Sequence, residues 1–305
     1  MDTTVREAMP VIRHPENLVQ GFRRIDIAEI CPITHPERQR SSLVSSTREL
    51  LQQQFGDYLY LRRASAEDLT PDEIQCITLM RYHTFHLFKG WSTPFPDWNE
   101  IDLHPETFHH LLYDSRQQVI ASARTSQTTI FPSLNGHSPF EIGHMTAFTS
   151  LNSGAEPDLS VIDKFRDNYP IPDLGLTIGT TERLTLAPLA FPFLNPRQLI
   201  GANMLILSPL ALDTFDRLLT TNITVIQSDD AMTKLFTDAY GPEINEVLKT
   251  TQRRQRALID GVTPNGLDMV DDPCHTLVFN ARNLMASVRE YNPVMYQSFI
   301  GRVLQ

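Results

Sequence analysis

The sequence contains few cysteines and no paired-cysteine motif. Its three cysteines, Cys31, Cys76 and Cys274, are far apart in a chain of 305 residues, and none belongs to a CxxC pair. This pattern supports neither a disulfide framework nor a thiolate zinc site, because both need regularly spaced cysteines. A protein of the reducing cytoplasm is the class that fits best.

Long apolar segments are also lacking. The first residues, MDTTVREAMPVIRHPEN, contain no apolar core of signal-peptide length, and the most apolar stretches, LAPLAFPFL and NMLILSPLAL, are interrupted by proline. A membrane-spanning helix needs about 20 consecutive apolar residues. The sequence therefore predicts neither an integral membrane segment nor an ordinary export signal.

Positive charge is in deficit, since the formal net charge is -10 at pH 7. Non-specific binding to nucleic acid depends on a basic surface, so we expect no nucleic-acid partner and no anionic membrane partner. The basic cluster Arg253, Arg254 and Arg256 is the exception to this acidic background. It is either a solvated helix face or a docking site for an acidic protein.

Several familiar catalytic motifs are missing. The chain has no G-x-S-x-G, no Walker loop and no dinucleotide-binding fingerprint. Five histidines lie between residues 83 and 110, and they form no HExxH pattern. They are His83, His86, His104, His109 and His110. We therefore expect no metal ion and no tightly bound cofactor.

An arginine interrupts the apolar face of a predicted helix. The segment PDEIQCITLMRYHTFHLFKG begins after Thr70, a typical N-cap, with Pro71 at the first helical position. At 100° per residue, Arg81 falls on one apolar stripe with four other side chains: Ile74, Ile77, Phe85 and Phe88. An unpaired guanidinium in this position would cost several kcal/mol, so Arg81 requires a negatively charged partner.

The loop after this helix supplies two carboxylates, Glu100 and Asp102, close behind Trp91. Two interpretations of this group remain open. It is either a structural ion pair beneath a loop or the wall of a pocket for a charged ligand.

The order of alternating and helical segments predicts an α+β fold. STRELLQQQFG is a short helix capped by Ser46 or Thr47, and DYLYLRRA is a strand. TFHHLLYDS and QVIASARTSQTT follow the long helix as a hairpin that turns at residues 114–116. Then come the strand TIGTTERLTLAP, the helix PRQLIGANMLIL, a second helix from Ser208-Pro209, and the strand NITVIQS. We expect a central, mostly antiparallel sheet flanked by helices.

The same pattern divides the chain into three parts. Residues 1–56 form an N-terminal arm and residues 57–242 form the core. Residues 243–305 form a C-terminal helical extension packed on the core, with a helix over INEVLKTTQRRQRALID and a strand-like HTLVFNA.

Seven residues, spaced along the core in order, match a known pattern: Arg81, Phe85, Trp91, Glu100, Asp102, Arg124 and Arg183. That pattern has an arginine and a phenylalanine four residues apart on a helix, then a tryptophan, then Glu-x-Asp, then one arginine in a hairpin and another in a strand. In these residues the chain resembles the acyl-homoserine-lactone synthases and the N-acyl amino acid synthases, which share the GNAT N-acyltransferase fold. The resemblance covers about residues 58–242 and implies that fold for the core.

This chain departs from the family pattern at three positions. Pro105 replaces an acid after Glu-x-Asp, Thr180 replaces the glutamate of the strand motif, and Ala121 or its neighbour replaces a hairpin glycine. Glu182 is two residues beyond Thr180, and residues two apart in a strand are on the same face. A carboxylate is thus expected near the strand arginine, displaced by about 7 Å.

The resemblance implies an acyltransferase and a role for each matched residue. Glu100 is the implied general base, acting through a water, and Glu182 is the rival for that role. Arg81, Asp102 and Arg183 would form the ion network that orients the acceptor. Phe85 and Trp91 would wall its pocket, and Arg124 would hold the network in shape.

The resemblance also implies the substrates. The donor would be a fatty acyl group on acyl-carrier protein or coenzyme A, with Gln198 and Gly201 at a helix start that binds the pantetheine pyrophosphate. The acceptor would be a small amine, S-adenosylmethionine ahead of a free amino acid; the former gives an acyl-homoserine lactone, the signal of quorum sensing. The alternative from another class is a GNAT-fold binding or regulatory protein without catalysis.

Overall fold

The computed structural model describes residues 22–30, 42–84, 96–98, 102–130, 176–185, 196–218, 223–228, 246–256, 268–279 and 289–290. Its main helices and strands are, in chain order, β1 (Arg23–Asp26), α1 (Ser42–Phe55), β2 (Tyr58–Ala64), α2 (Pro71–Arg81), β3 (Thr107–Tyr113), β4 (Val119–Ile130), β5 (Leu176–Thr185), α3 (Pro196–Leu218), β6 (Ile223–Ser228), β7 (Glu246–Arg256) and β8 (Asp268–Phe279).

The described strands form one eight-stranded sheet in the order β1-β2-β3-β4-β5-β6-β8-β7. Its neighbouring strands are antiparallel except β5 and β6, which are parallel. The helix α3 connects this parallel pair, as a parallel connection requires a crossover. The α+β class and the mostly antiparallel sheet predicted from the sequence are confirmed.

The helix α2 begins with the predicted cap. The Thr70 side chain accepts a hydrogen bond from the Glu73 amide at 3.3 Å, and the Glu73 carboxylate accepts one from the Thr70 amide at 2.7 Å. This capping box satisfies two amides that the helix leaves free. It also orients the helix so that Cys76, Ile77 and Met80 pack on the sheet.

A buried ion pair fixes α2 to the sheet at its N-terminal end. Arg62 on β2 and the hydroxyl of Tyr113 on β3 both donate to the Glu73 carboxylate. Burial would raise the pKa of Glu73, but the Arg62 and Thr70 hydrogen bonds outweigh it and lower that pKa. The helix therefore has a fixed origin, and Arg81 occupies its last turn.

Consecutive residues of β3 face opposite sides of the sheet. Leu111 and Tyr113 pack with α2, whereas His110 contacts a side chain of α3. We call these two sides the α2 face and the α3 face. The hairpin between β3 and β4 turns at residues 114–118, where Asp114 accepts hydrogen bonds from the amides of Arg116 and Gln118, both at 2.9 Å. The predicted hairpin is confirmed.

The helix α3 corrects one prediction. A break at Ser208-Pro209 was expected to start a new helix, but Pro209 lies inside one continuous helix of 23 residues. Proline removes one backbone hydrogen bond, and the helix tolerates this because Leu205, Ile206 and Leu210 bury the chain on both sides of the proline.

The C-terminal region, where the structure describes it, corrects another prediction. Residues 246–256, predicted to be helical, form the strand β7, which pairs with β8 over eleven residues. The register places Arg253 opposite Asp271 and Arg256 opposite Asp268. Opposite charges across a ladder stabilise the pairing, and this long-range complementarity prevails over the local helical pattern. In the part of the chain that the structure describes, no helix is long and apolar enough to cross a membrane.

Candidate functional site

Arg81 finds its carboxylate partner in the next loop. The guanidinium donates to both oxygens of Asp102, from Nη1 at 2.9 Å and from Nη2 at 2.7 Å. Nη1 also donates to the Asp97 carbonyl at 2.8 Å. Both side chains are almost fully removed from solvent, with 1% of Arg81 and 0% of Asp102 exposed. Two parallel hydrogen bonds give this pair a defined geometry as well as charge neutralisation.

Asp102 bridges two cations. Arg124 on β4 donates from Nη1 to Oδ1 of Asp102 at 2.9 Å, and its side chain is 17% exposed. One carboxylate thus holds together the end of α2, the loop and the middle of β4. Two guanidinium groups on one carboxylate leave this group of three with a net positive charge, which favours a second anion nearby.

His109 completes the cluster from β3. Its Nε2 lies 3.3 Å from the Asp102 carbonyl oxygen, and its ring stacks on Trp98 with centroids 5.0 Å apart. A carbonyl only accepts hydrogen bonds, so Nε2 carries the proton. Burial, aided by the nearby Arg81 and Arg124 cations, lowers the pKa of His109 to about 4, against the opposing pull of Asp102. His109 is therefore neutral near pH 7.

The register extends this cluster across the sheet. His109 is opposite Arg124, and Arg124 is opposite Glu182 on β5. Residues directly opposite each other in an antiparallel pair share a face. Glu182 is thus at the end of a three-residue row on the α2 face. In the neighbouring row, Ser126 of β4 is opposite Thr107 of β3 on one side and Thr180 of β5 on the other. The hydroxyls of Thr107 and Ser126 share a hydrogen bond of 2.6 Å.

Arg183 is opposite Ala123, one residue beyond Glu182, so it is in the next row of the register. Its place in the ion network stays a prediction. Arg124 accompanies Arg81 and Asp102 in the network that the structure describes.

A second polar cluster lies on the α3 face. Asp213 of α3 accepts hydrogen bonds from Arg63, with Nη2 at 2.8 Å, and from Nδ1 of His110. The other ring nitrogen of His110 lies 2.9 Å from the Thr125 hydroxyl. Burial would raise the pKa of Asp213, but the hydrogen bonds from His110 and Arg63 hold it well below its usual range. This cluster joins α3 to β2, β3 and β4.

The strands β5 and β6 are paired for only part of their length. Their parallel register covers Ile178 to Thr180 on β5 and Ile223 to Val225 on β6. Beyond these three pairs, β5 continues to Thr185 and β6 continues to Ser228, and these two segments do not pair with each other. The sheet therefore opens between two neighbouring strands, and Glu182 is on the strand segment that borders the opening.

Both residues of the expected donor-binding motif belong to α3. Gln198 is the third residue, within the first turn of the helix. Gly201 is the sixth residue, inside the helix, where its amide belongs to the helical ladder. A Cβ at Gly201 would be 3.4 Å from the Thr47 hydroxyl of α1, so Gly201 is at a helix–helix contact. Donor binding by these two residues stays a prediction.

Three residues expected at the site, Phe85, Trp91 and Glu100, lie outside the described residues. Among the described residues, no group of three His, Cys, Asp or Glu side chains has a metal-binding arrangement. Sequence reasoning missed five residues of the two clusters: Trp98, His109, Arg63, His110 and Asp213. The alternation of TFHHLLY gives the two histidines opposite faces, and this signal was present in the sequence.

No family model and no curated protein matches this chain. Among solved structures, the chain is similar to FeeM, an N-acyl amino acid synthase from uncultured soil microbes, at 10% identity and a TM-score of 0.40, covering 75% of this chain and 94% of that one. It is also similar to BjaI, a CoA-dependent acyl-homoserine lactone synthase with SAM and isopentyl-CoA, at 15% identity and a TM-score of 0.38, covering 75% and 87%.

An acyl-CoA N-acyltransferase from Pseudomonas aeruginosa is similar at 12% identity and a TM-score of 0.35, covering 72% of this chain and 99% of that one. The chain is thus similar to N-acyltransferases, in agreement with the resemblance seen in the sequence. At TM-scores of 0.40 or less, these likenesses carry no argument about chemistry. That chemistry has to follow from the residues of this chain.

Proposed function

We propose that this protein is an N-acyltransferase that moves a fatty acyl group from a carrier thioester to the amine of a small acceptor. The observation that carries the proposal is the opening between β5 and β6, which is bordered by the strand of Glu182. Glu182 is in turn opposite Arg124 of the charged cluster. The position of Glu182 on β5 thus lies between the opening and the charged cluster, to which Arg124 on β4 belongs.

The opening suits the donor. A strand edge without a neighbour offers backbone N–H and C=O groups, to which an extended ligand with amide groups can add as a further strand. The pantetheine arm is such a ligand. The first turn of α3, with Gln198, follows β5 in the chain, and the first turn of a helix favours a phosphate. Donor and charged cluster would then approach each other across β5.

The charged cluster suits the acceptor. An amino acid or S-adenosylmethionine carries both a carboxylate and an ammonium group, so it needs cations and anions held at fixed positions. Arg81, Asp102 and Arg124 provide fixed charges of both signs. We assign to them the orientation of the acceptor, and to Phe85 and Trp91 the walls of its pocket.

The reaction requires a base for the ammonium group. Glu100, through a water, or Glu182 would take one proton, and the free amine would attack the thioester carbonyl carbon. The C–S bond then breaks as the amide forms, and the thiolate of the carrier takes up a proton. Holding both substrates in place supplies much of the acceleration.

The acceptor and the carrier are further parts of the proposal. S-adenosylmethionine, which would give an acyl-homoserine lactone, is the first acceptor to test, followed by free amino acids. The carrier is acyl-carrier protein or coenzyme A. For an acidic carrier protein, the Arg253–Arg256 cluster is the proposed docking site, although the acids of β8 opposite it reduce its net charge.

Two departures from the family pattern favour a second candidate function. Pro105 and Thr180 stand where the family has acids. If catalysis requires these acids, this protein binds an acyl thioester without turning it over. Saturable binding of the thioester without release of thiol would establish that function.

The test uses the full chain with acyl-CoA or acyl-carrier protein and a panel of amines, and it measures thiol release and the products by mass spectrometry. Glu100→Gln and Glu182→Gln remove the two candidate bases without a large change in shape. Removal of the carboxylate that acts as the base should lower kcat by about 10²–10⁴-fold. Glu106→Gln is the matched control, because Glu106 is 55% exposed and pairs with Arg217. Retained activity in both candidate variants, with thiol release intact, would remove these carboxylates from the mechanism.

A further inference from the structure

His109 contacts two residues that lie between α2 and β3 in the chain, Trp98 and Asp102. The Trp98 ring stacks on the His109 ring at 5.0 Å and 20°. The Asp102 carbonyl accepts a hydrogen bond from His109 Nε2 at 3.3 Å. A single side chain of β3 thus holds two residues of the connection between the helix and the strand.

Arg81 contacts the same residues from the helix. Its guanidinium donates to the Asp97 carbonyl and to the Asp102 carboxylate, and its Cζ lies 5.9 Å from the Trp98 ring centroid. Arg81 and His109 therefore hold Trp98 and Asp102 between them, one from α2 and one from the sheet.

Imidazole is the side chain that this position requires. A phenylalanine would stack on Trp98 but could not donate to the Asp102 carbonyl, and a glutamine could donate but would not stack. His109 is 1% exposed. A buried polar ring in a strand is retained where its hydrogen bond has a function that an apolar side chain cannot fulfil.

We propose that His109 is a positioning residue for the acyl-transfer site: by stacking on Trp98 and donating to the Asp102 carbonyl, it fixes Asp102 so that its carboxylate meets Arg81 and Arg124. The inference rests on the proposed function, since it concerns the presentation of the acceptor-binding carboxylate. His109 itself takes no part in bond formation.

Three variants separate the two contacts. His109→Phe retains the stack, His109→Gln retains the donor, and His109→Leu removes both. His110→Gln is the matched control, because His110 is the next residue of the same strand, is equally buried, and contacts Asp213 on the other face. The four variants are compared with the parent chain at one temperature, well below every Tm.

Two readouts are measured on each. Hydrogen–deuterium exchange compares the amides of residues 96–106 with those of the rest of the chain, and steady-state kinetics give kcat and the KM values of donor and acceptor. We expect His109→Leu to increase exchange in residues 96–106 selectively. It should also lower kcat/KM for the acceptor by about 10²-fold, the scale of a displacement of about 1 Å, with the donor KM unchanged. His109→Phe and His109→Gln should have exchange rates and kcat/KM values between those of His109→Leu and those of the parent.

The control variant shows whether the effect is specific to His109. His110→Gln should lower Tm and increase exchange at β3, β4 and α3 without a selective effect on residues 96–106. Folded His109 variants with unchanged exchange in residues 96–106, or with an unchanged kcat/KM for the acceptor, would overturn the positioning role. If the parent chain shows no acyl transfer, the proposed function fails, whereas the exchange data still decide whether His109 fixes Trp98 and Asp102.

Discussion

His109 and His110 are adjacent in β3, but they hydrogen bond to different aspartates on opposite faces of the sheet. His109 donates to the backbone carbonyl of Asp102 beneath α2, and His110 donates to the carboxylate of Asp213 of α3. The alternation of a strand turns two neighbours in the sequence into members of two separate networks. One network surrounds the proposed acceptor site, and the other attaches the helix whose first turn is the proposed phosphate site.

The buried, neutral state of His109 should make stability depend on pH. Burial lowers its pKa from 6.5 to about 4, so the unfolded chain takes up this proton first as the pH falls. The contribution is present above pH 6.5 and is lost between pH 6.5 and about 4, which corresponds to about 3 kcal/mol of unfolding free energy. Urea unfolding of the parent and of His109→Gln over this range should show a shallower decline for the variant. Equal slopes would contradict the prediction.

Asp213→Asn should destabilise the protein by about 1–3 kcal/mol, because it removes the charged acceptor that Arg63 and the buried His110 share. The matched control is Asp216→Asn. Asp216 also pairs with Arg63 but is 27% exposed, so its loss should cost about 1 kcal/mol or less. Equilibrium unfolding in urea measures both. Similar losses for the two variants would show that Asp213 does not have the central position inferred from its contacts.

Sequence reasoning identified the parts of this site that depend on local spacing. The cap at Thr70, the hairpin turn after Tyr113 and the requirement of Arg81 for a carboxylate all follow from residues near each other in the chain. Each of these features is decided by a hydrogen bond or a periodicity that a window of about ten residues contains.

The features that sequence reasoning missed depend on residues that are far apart in the chain. Asp213 is 150 residues from Arg63 and 103 from His110, and no pattern of spacing connects them. The strand β7 was predicted as a helix because its charges and apolar residues fit a helical period, whereas its partner acids are in β8.

Asp102→Asn should be more harmful than Arg124→Gln. The first change leaves two guanidinium groups around a neutral amide, one of them the buried Arg81, and should cost about 3–5 kcal/mol. The second leaves the Arg81–Asp102 pair intact and removes a partly exposed cation, so its cost should be smaller. Urea midpoints at pH 7 provide the comparison. The reverse order would mean that Arg124 is the principal partner of Asp102.

The β7–β8 hairpin allows stability and carrier docking to be separated. Arg253→Glu places an acid opposite Asp271 and should destabilise the hairpin by about 0.5–1 kcal/mol, and the added change Asp271→Arg should restore the loss. If Arg253 also docks an acidic carrier, KM for the carrier-bound acyl group should rise in the single variant and stay raised in the double variant. A KM that recovers together with Tm would assign Arg253 to the hairpin alone.

Gly201→Ala distinguishes a packing glycine from one that binds phosphate. Alanine stabilises a helix interior by up to about 1 kcal/mol relative to glycine. The new Cβ would be in ordinary contact with Thr47, at 3.4 Å from its hydroxyl, so most of this gain should be realised as a higher Tm. The KM for acyl-CoA should not change, because Gly201 is past the first turn of α3. Gln198→Ala, within that turn, is the comparison and should raise this KM. A raised KM in Gly201→Ala at unchanged Tm would return the glycine to the donor site and would require the pyrophosphate to bind deeper along the helix than its free amides allow.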